Sequence, residues 1–236
     1  WLRVTDAVEE GTRAGYRVDV CVPSGNFGNI YAGFLARSMG VPIRRLILAT
    51  NENNVLEEFF TTGIYRPRSA EDTLATSSPS MDISKASNLE RFIWALLGPE
   101  VFMQRWAELE TTGTLDLRDQ LPRLREEFGF VAGTSSHADR LETIRSVKKR
   151  SGSLIDPHTA DGVTVALRVM EPGFPTLVME TAKAAKFPQT VAEALGSEPE
   201  TPDVVADLLA RPQKVETIDN EEAPLRTLIE ERALSR

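Results

Sequence analysis

Five consecutive residues near the start of the chain have the types and spacing of a phosphate-binding loop. They are Ser24, Gly25, Asn26, Phe27 and Gly28. An apolar run at residues 18–22 precedes them, and a helical pattern follows. Where a parallel strand ends and a helix begins, free N–H groups and the helix dipole favour an anion. The two glycines permit positive φ and remove Cβ atoms that would obstruct a phosphate, so the segment is built as a phosphate cradle.

The same five residues also suit a tight strand-to-helix turn, in which Gly and Asn serve only the backbone conformation. Spacing alone leaves both interpretations open. The segment is not a Walker loop, because no Gly-Lys-Ser/Thr follows it. It is not the dinucleotide fingerprint either, because no third glycine stands at the required position after Gly25 and Gly28.

The elements around this loop form a strand–helix–strand unit. Strands are predicted over residues 16–22 and 43–49, with a helix over 29–39 between them. This order indicates a parallel sheet with a right-handed crossover. Residues 61–87 are rich in Ser, Thr and Pro and are predicted to be an extended loop, which at that length is usually functional or mobile.

The rest of the chain is predicted to be mainly helical. A helix is expected before Gly15, and short strands are expected at residues 130–132 and within "FPTLVMETA". The stretch "LIDPHTADGVTVALRVM" predicts a turn and then an apolar helix. Further helices are expected over residues 52–60, 88–97, 101–108, 118–127, 137–148 and 188–195. Beyond Gly196 the charged sequence predicts a helical C-terminal tail without strands.

Composition excludes several classes of protein. The 236 residues carry a formal net charge of −8 and a pI near 5.0, which argues against non-specific nucleic-acid binding. No apolar run approaches the roughly 20 residues of a membrane span, and the N-terminus lacks the pattern of a signal peptide. A single cysteine and two histidines give no metal-ligand spacing and fit a reducing compartment. We therefore expect a cytoplasmic protein without a metal site.

Four blocks of the sequence, in order, resemble the threonine synthase family of pyridoxal-phosphate enzymes. The first is "PSGNFGNIYAGFLARSMGVPIRRLILATNENNVL", and the others are "SSPSMDISKASNLERFIWAL", "DPHTADG" and "METAKAAKFPQTV". Together they span roughly residues 20–195. The resemblance implies an α/β fold of fold type II, with a parallel sheet in a three-layer αβα arrangement. It implies a cofactor-binding domain portion over residues 1–195 and a C-terminal helical tail over 196–236.

The resemblance also implies roles for individual residues. Backbone N–H groups of residues 24–28 would bind the phosphate of pyridoxal 5′-phosphate, and the hydroxyl of Thr181 would face its pyridine nitrogen. Without the resemblance, Thr181 reads as a strand-end or helix-cap residue. Lys183 and Ala184 depart from the family's usual His and Pro. Candidates for substrate binding are Ser80, Asp82, Asn88 and His158. Asn88 is equally compatible with capping a helix, and His158 with a satisfied polar group.

The activity implied is the conversion of O-phospho-L-homoserine and water to L-threonine and phosphate by a monomer or homodimer. The lysine that forms the Schiff base with the cofactor lies in an "FKDFG"-like segment of the family, and no lysine of this chain has that context. We therefore expect this chain to be the C-terminal portion of a longer enzyme and to be inactive alone. The alternatives are another fold type II lyase, such as a serine or threonine dehydratase, a non-catalytic homologue that binds a phosphate ligand, and a generic nucleotide binder.

Overall fold

The computed structural model describes residues 15–233, and the helix expected before Gly15 lies outside them. The described residues form two compact units that separate between Pro199 and Glu200. Within residues 15–233, no helix has the length and hydropathy needed to cross a bilayer.

A four-stranded parallel sheet is the centre of the first unit. Its strands are β1 (Val18–Pro23), β2 (Ile43–Thr50), β5 (Phe130–Thr134) and β6 (Thr176–Val178), in the order β5-β2-β1-β6. Two shorter strands, β3 (Ile64–Tyr65) and β4 (Leu115–Asp116), form a separate antiparallel pair. Because the four strands are parallel, their carboxyl ends meet at one edge, which is where ligands bind in such sheets.

Helices cover both faces of this sheet. The helices of the first unit are α1 (Gly28–Ser38), α2 (Val55–Thr62), α3 (Leu89–Leu97), α4 (Pro99–Thr112), α5 (His137–Ser151), α6 (Pro157–Val169) and α7 (Pro188–Leu195). Helix α6 packs on one face, where it contacts β1, β2, β5 and β6, and it also contacts α5. Helices α1 and α2 contact the sheet strands as well. The α/β fold with a parallel sheet is therefore confirmed.

The sheet has a hydrophobic core on each face. Alternate residues along a strand point into opposite cores, because side chains in a strand alternate with a period of two. On the α1 and α2 side, the buried strand residues are Val22, Leu46, Leu48 and Phe130. On the α6 side they are Cys21, Ile47 and Ala49, which pack against Val165 and Ala166. Burial raises the pKa of the Cys21 thiol to about 12, and its Sγ donates to the Gly162 carbonyl at 3.2 Å.

One predicted helix takes a different form. Residues 118–127 were expected to be helical, and they are, but they form a 3₁₀ turn at Arg118–Gln120 and a π-helical turn at Arg123–Glu127. Pro122 lies between the two turns and has no N–H group to continue an α-helical ladder. The prediction of a helix here is therefore confirmed, although its hydrogen bonding is not that of a regular α-helix.

The second unit contains helices α8 (Asp203–Ala210) and α9 (Glu222–Ala233). The described part of this unit contains no strand, as the charged amphipathic pattern indicated. Where the cofactor-binding domain ends remains a prediction.

Candidate functional site

The predicted phosphate loop connects the carboxyl end of β1 to the first turn of α1. The Ser24 N–H donates to the Ala49 carbonyl at 2.9 Å, so the loop leaves the sheet beside β2. The first N–H groups of a helix have no intrahelical acceptor, and those of α1 begin at Gly28. Within the described residues, Ser24 Oγ is buried but has no hydrogen-bond partner. The loop thus combines free donors with an unsatisfied hydroxyl, as an anion-binding site requires.

Phe27 fixes the shape of this loop. Its backbone is in the left-handed region, with φ 66° and ψ −3°, and it is the only non-glycine residue among those described with positive φ. A bulky side chain in that region costs roughly 1–2 kcal/mol, which the surroundings must offset. The ring is 1% exposed and lies among Phe60, Phe92 and Phe130. The aromatic core therefore anchors the centre of the loop.

Gly25 is required by a close approach of the backbone. A Cβ atom there would lie 2.8 Å from Ile83 Cγ1 and 2.9 Å from Met81 Cα. At Gly28 a Cβ atom would lie 3.1 Å from Asn88 Nδ2. The turn that carries Met81 can approach the loop only because residue 25 has no side chain.

A cavity of about 280 Å³ opens beside this loop. Residues 23–29 line one part of it, and the other lining residues are Ser80, Met81, His158, Thr181, Ala182 and Lys186. The structure therefore brings the five loop residues together with Thr181, Ser80 and His158 around one cavity. Their roles in binding remain predictions.

Asp82 and Asn88, the other two substrate candidates, do not line this cavity. The Asp82 carboxylate accepts from Asn51 Nδ2 at 2.8 Å, from Asn53 Nδ2 at 2.9 Å and from the Thr76 N–H at 2.8 Å. Asn88 Nδ2 donates to the Asn26 carbonyl at 3.1 Å. In this geometry Asp82 holds the segment before Ser80, and Asn88 supports the phosphate loop from outside.

His158 lies at the start of α6, where Asp156 caps the helix. The Asp156 side chain accepts from the backbone N–H groups of His158 and Thr159. It also accepts from His158 Nδ1 at 2.9 Å. Burial alone would raise the pKa of Asp156, but hydrogen bonds from His158 and Thr159 outweigh it and hold the pKa below its usual value.

A buried ion cluster supports the segment that precedes Ser80. The Arg140 guanidinium is fully buried and contacts Asp161 Oδ1 at 2.7 Å, both Glu52 oxygens at 2.9 Å and Ser77 Oγ at 2.9 Å. Burial raises the pKa of Asp161 to about 6, even though Arg140 lowers it. This cluster ties the Ser77 side chain to α5 and α6.

Sequence reasoning missed some lining residues. Lys186 and Ala182 lie in the "METAKAAKF" block, whose resemblance pointed only to Thr181. Met81 was not among the candidates, and it is buried as well as lining the cavity. For Lys186 the available signal was its place in that block, within a few residues of Thr181.

Solved structures identify the class to which this fold belongs. A pyridoxal-phosphate-bound threonine synthase from Brucella melitensis superposes with a TM-score of 0.83 and 34% identity, covering 100% of this chain and 49% of that one. The yeast threonine synthase superposes with a TM-score of 0.81 and 29% identity, covering 96% of this chain and 49% of that one. The fold is that of the fold type II pyridoxal-phosphate enzymes.

Sequence comparisons also point to threonine synthases. The model described as "Threonine synthase, C-terminal" matches residues 159–229. The threonine synthase of Methylobacillus glycogenes is 49% identical over 218 residues, which are 91% of this chain and 46% of that protein. That of Corynebacterium glutamicum is 48% identical over 228 residues, 94% of this chain and 46% of that protein. The chain is therefore similar to threonine synthases over more than nine-tenths of its length, and residues 159–229 match the C-terminal model of that family.

Proposed function

We propose that the protein containing this chain is a pyridoxal-phosphate-dependent threonine synthase, which converts O-phospho-L-homoserine and water to L-threonine and phosphate. The chain spans about half the length of the relatives it matches, 46% in the first two, so the activity is proposed for the complete protein. The observation that carries the proposal is the cavity at the carboxyl edge of the sheet, which is lined by the glycine loop and by Ser24, whose buried hydroxyl has no partner among the described residues.

The residues present fit the phosphate of this cofactor. Ser24 Oγ is buried without a partner, and a phosphate oxygen would satisfy it. The N–H groups at the start of α1 supply further donors and the positive end of the helix dipole. We assign residues 24–28 to the cofactor phosphate. We assign the Thr181 hydroxyl, which also lines the cavity, to the pyridine nitrogen.

When bound, pyridoxal phosphate supplies an electron sink for negative charge on the substrate carbon. The part played by this chain is to bind and orient. A neutral hydroxyl at Thr181 leaves a pyridine nitrogen largely unprotonated, whereas a carboxylate would keep a proton there. Ser80 is assigned to the substrate side of the cavity. The Schiff-base lysine is assigned to a segment outside these 236 residues, because none of the six lysines here has the family's sequence context.

The test is to purify the complete protein, load it with pyridoxal phosphate and supply O-phospho-L-homoserine. The expected result is release of threonine and phosphate in equal amounts. Formation of a 2-oxo acid from serine or threonine, with no threonine formed, would favour a dehydratase instead. Cofactor binding without turnover of any of these substrates would favour a non-catalytic homologue. Turnover by residues 1–236 alone would disprove the assignment of the lysine to another segment.

A further inference from the structure

One hydrogen bond defines the protonation of His158. The backbone N–H of Ser80 donates to His158 Nε2 at 3.0 Å. A backbone N–H can only donate, so Nε2 must present its lone pair. A neutral imidazole carries one N–H, which is therefore on Nδ1 and donates to Asp156 Oδ1 at 2.9 Å. Both ring nitrogens are thus occupied by protein groups.

The surroundings hold this ring in place. His158 is 1% exposed, and its ring centroid lies 4.6 Å from that of Phe187. Asp156 is fully buried, and its second carboxylate oxygen accepts from the Thr159 hydroxyl. Because the Asp156 carboxylate can only accept, it favours the Nδ1–H tautomer.

The other end of this hydrogen-bond chain enters the cavity. Ser80 belongs to a 3₁₀ turn, Pro79–Met81, and lines the cavity beside the phosphate loop. The Ser80 side chain is exposed, and the described residues provide no hydrogen-bond partner for its hydroxyl. The buried Asp156–His158 pair therefore fixes the backbone of Ser80, while the Ser80 hydroxyl stays available to a ligand.

We propose that Asp156 and His158 form a positioning pair that holds the backbone of Ser80, so that the Ser80 hydroxyl binds the phosphorylated amino-acid substrate in the cavity. The proposal rests on the proposed function. It assigns no proton transfer to His158, because neither nitrogen is available to a substrate. The Ser80 hydroxyl acts directly on the substrate, and the histidine acts through Ser80.

A double-mutant cycle in the complete enzyme tests this coupling. The variants are His158→Leu, Ser80→Ala and the pair together. Loss of the hydrogen bond is expected to lower kcat/KM by about tenfold when Ser80 is present. In the Ser80→Ala background the same change should cost less than about threefold, because the hydroxyl that it positions is already absent. Additive losses would overturn the proposal.

A conservative variant separates positioning from imidazole chemistry. In His158→Gln the side-chain oxygen can accept from the Ser80 N–H, so kcat/KM should stay within about threefold of the wild type. A loss as large as that of His158→Leu would overturn the proposal. The matched control is His137→Gln, because His137 bonds Ser77 and Glu193 and does not line the cavity. Thermal unfolding of each variant reports whether it folds.

The tautomer can be measured without any catalysis. In a long-range ¹H–¹⁵N spectrum of the complete protein, the His158 signals are assigned by their loss in His158→Gln. Nδ1 is expected to give a protonated, pyrrole-type signal and Nε2 an unprotonated one. A protonated Nε2 would overturn the proposal. This result is independent of threonine formation, so failure of the positioning pair and failure of the proposed function are distinguishable.

Discussion

The ring of Phe27 lies 5.5 Å from the ring of Phe60, with only 11° between their planes. This stack joins the phosphate loop to α2, an element that follows the next strand of the sheet. Phe27 is also the residue whose backbone takes the left-handed conformation. The conformation of the loop and the packing of the core are therefore set by the same side chain.

Truncation of Phe27 should damage both properties. We expect Phe27→Ala to lower the free energy of unfolding by about 3–5 kcal/mol, as for other buried aromatic truncations. It should also weaken cofactor binding, because the packing of the Phe27 ring helps to offset the cost of its positive φ. The matched control is Phe102→Ala, since Phe102 stacks on Trp106 and does not line the cavity. Equal cofactor affinity in the two variants, measured by titration of the complete apoenzyme, would contradict this account.

Gly25→Ala tests the close approach at the loop. The added Cβ would meet the backbone of Met81 at 2.9 Å, so the loop or the turn must move. We expect the Kd for pyridoxal phosphate to rise by at least about tenfold, the equivalent of losing one or two charge-assisted hydrogen bonds. Gly15→Ala is the control, because a Cβ atom at Gly15 meets nothing within 4 Å. An unchanged Kd for Gly25→Ala would show that the cradle does not hold the cofactor phosphate.

Local sequence patterns were sufficient to predict the elements that build the phosphate loop. The apolar run of β1 ends at Pro23, two glycines follow, and the helical period of α1 then begins. Each of these signals lies within a few residues. Helix α7 was likewise predicted with the bounds Pro188–Leu195 that the structure has, because proline and glycine flank it.

Features that depend on distant contacts were not predictable in this way. Strands β3 and β4 have two residues each, too few to show a period, and they pair across fifty positions of sequence. The acceptors of Asn51, which bonds Thr76 and Asp82, are also set by tertiary packing. The helix predicted to begin at residue 52 begins only at Val55. Polar residue types alone do not reveal whether a side chain meets a ligand or another part of the protein.

Removal of Arg140 should destabilise the folded protein, because the carboxylates of Asp161 and Glu52 would lose the charge that neutralises them. We expect Arg140→Met to lower the free energy of unfolding by about 3–5 kcal/mol at neutral pH. Without the guanidinium, the pKa of Asp161 should rise above its value of about 6.

A raised folded-state pKa means that the folded protein binds the proton more tightly than the unfolded chain. Stability then falls as pH rises from the unfolded value toward the folded one. The cost of Arg140→Met should therefore be larger at pH 8 than at pH 6, measured by urea unfolding. The control is Arg105→Met, because Arg105 is partly exposed and forms an ion pair with Glu108 on the same helix. A cost for Arg140→Met that is independent of pH would contradict the buried-charge explanation.

The contribution of Asp139 to stability should depend on pH in the opposite direction from that of Asp161. It forms a capping box with Ser136 at the start of α5 and also accepts from Arg168 Nη2 at 2.6 Å. Hydrogen bonds from Ser136, more than the Arg168 charge, lower the pKa of Asp139 to about 2. We expect Asp139→Ala to cost about 1 kcal/mol of unfolding free energy at pH 7, the usual value of a helix cap.

Because the folded-state pKa of Asp139 is below its unfolded value, its stabilising effect is complete above the unfolded pKa. It is lost as pH falls from about 4 toward 2, where the folded protein must also take up the proton. The difference between wild type and Asp139→Ala should therefore shrink between pH 7 and pH 3 in urea unfolding. Glu142→Ala is the control on the same helix, since Glu142 is exposed and its ion pair with Arg145 is long, at 3.6 Å. A constant difference over that range would mean that packing by the Asp139 side chain, and not its ionised carboxylate, stabilises the start of α5.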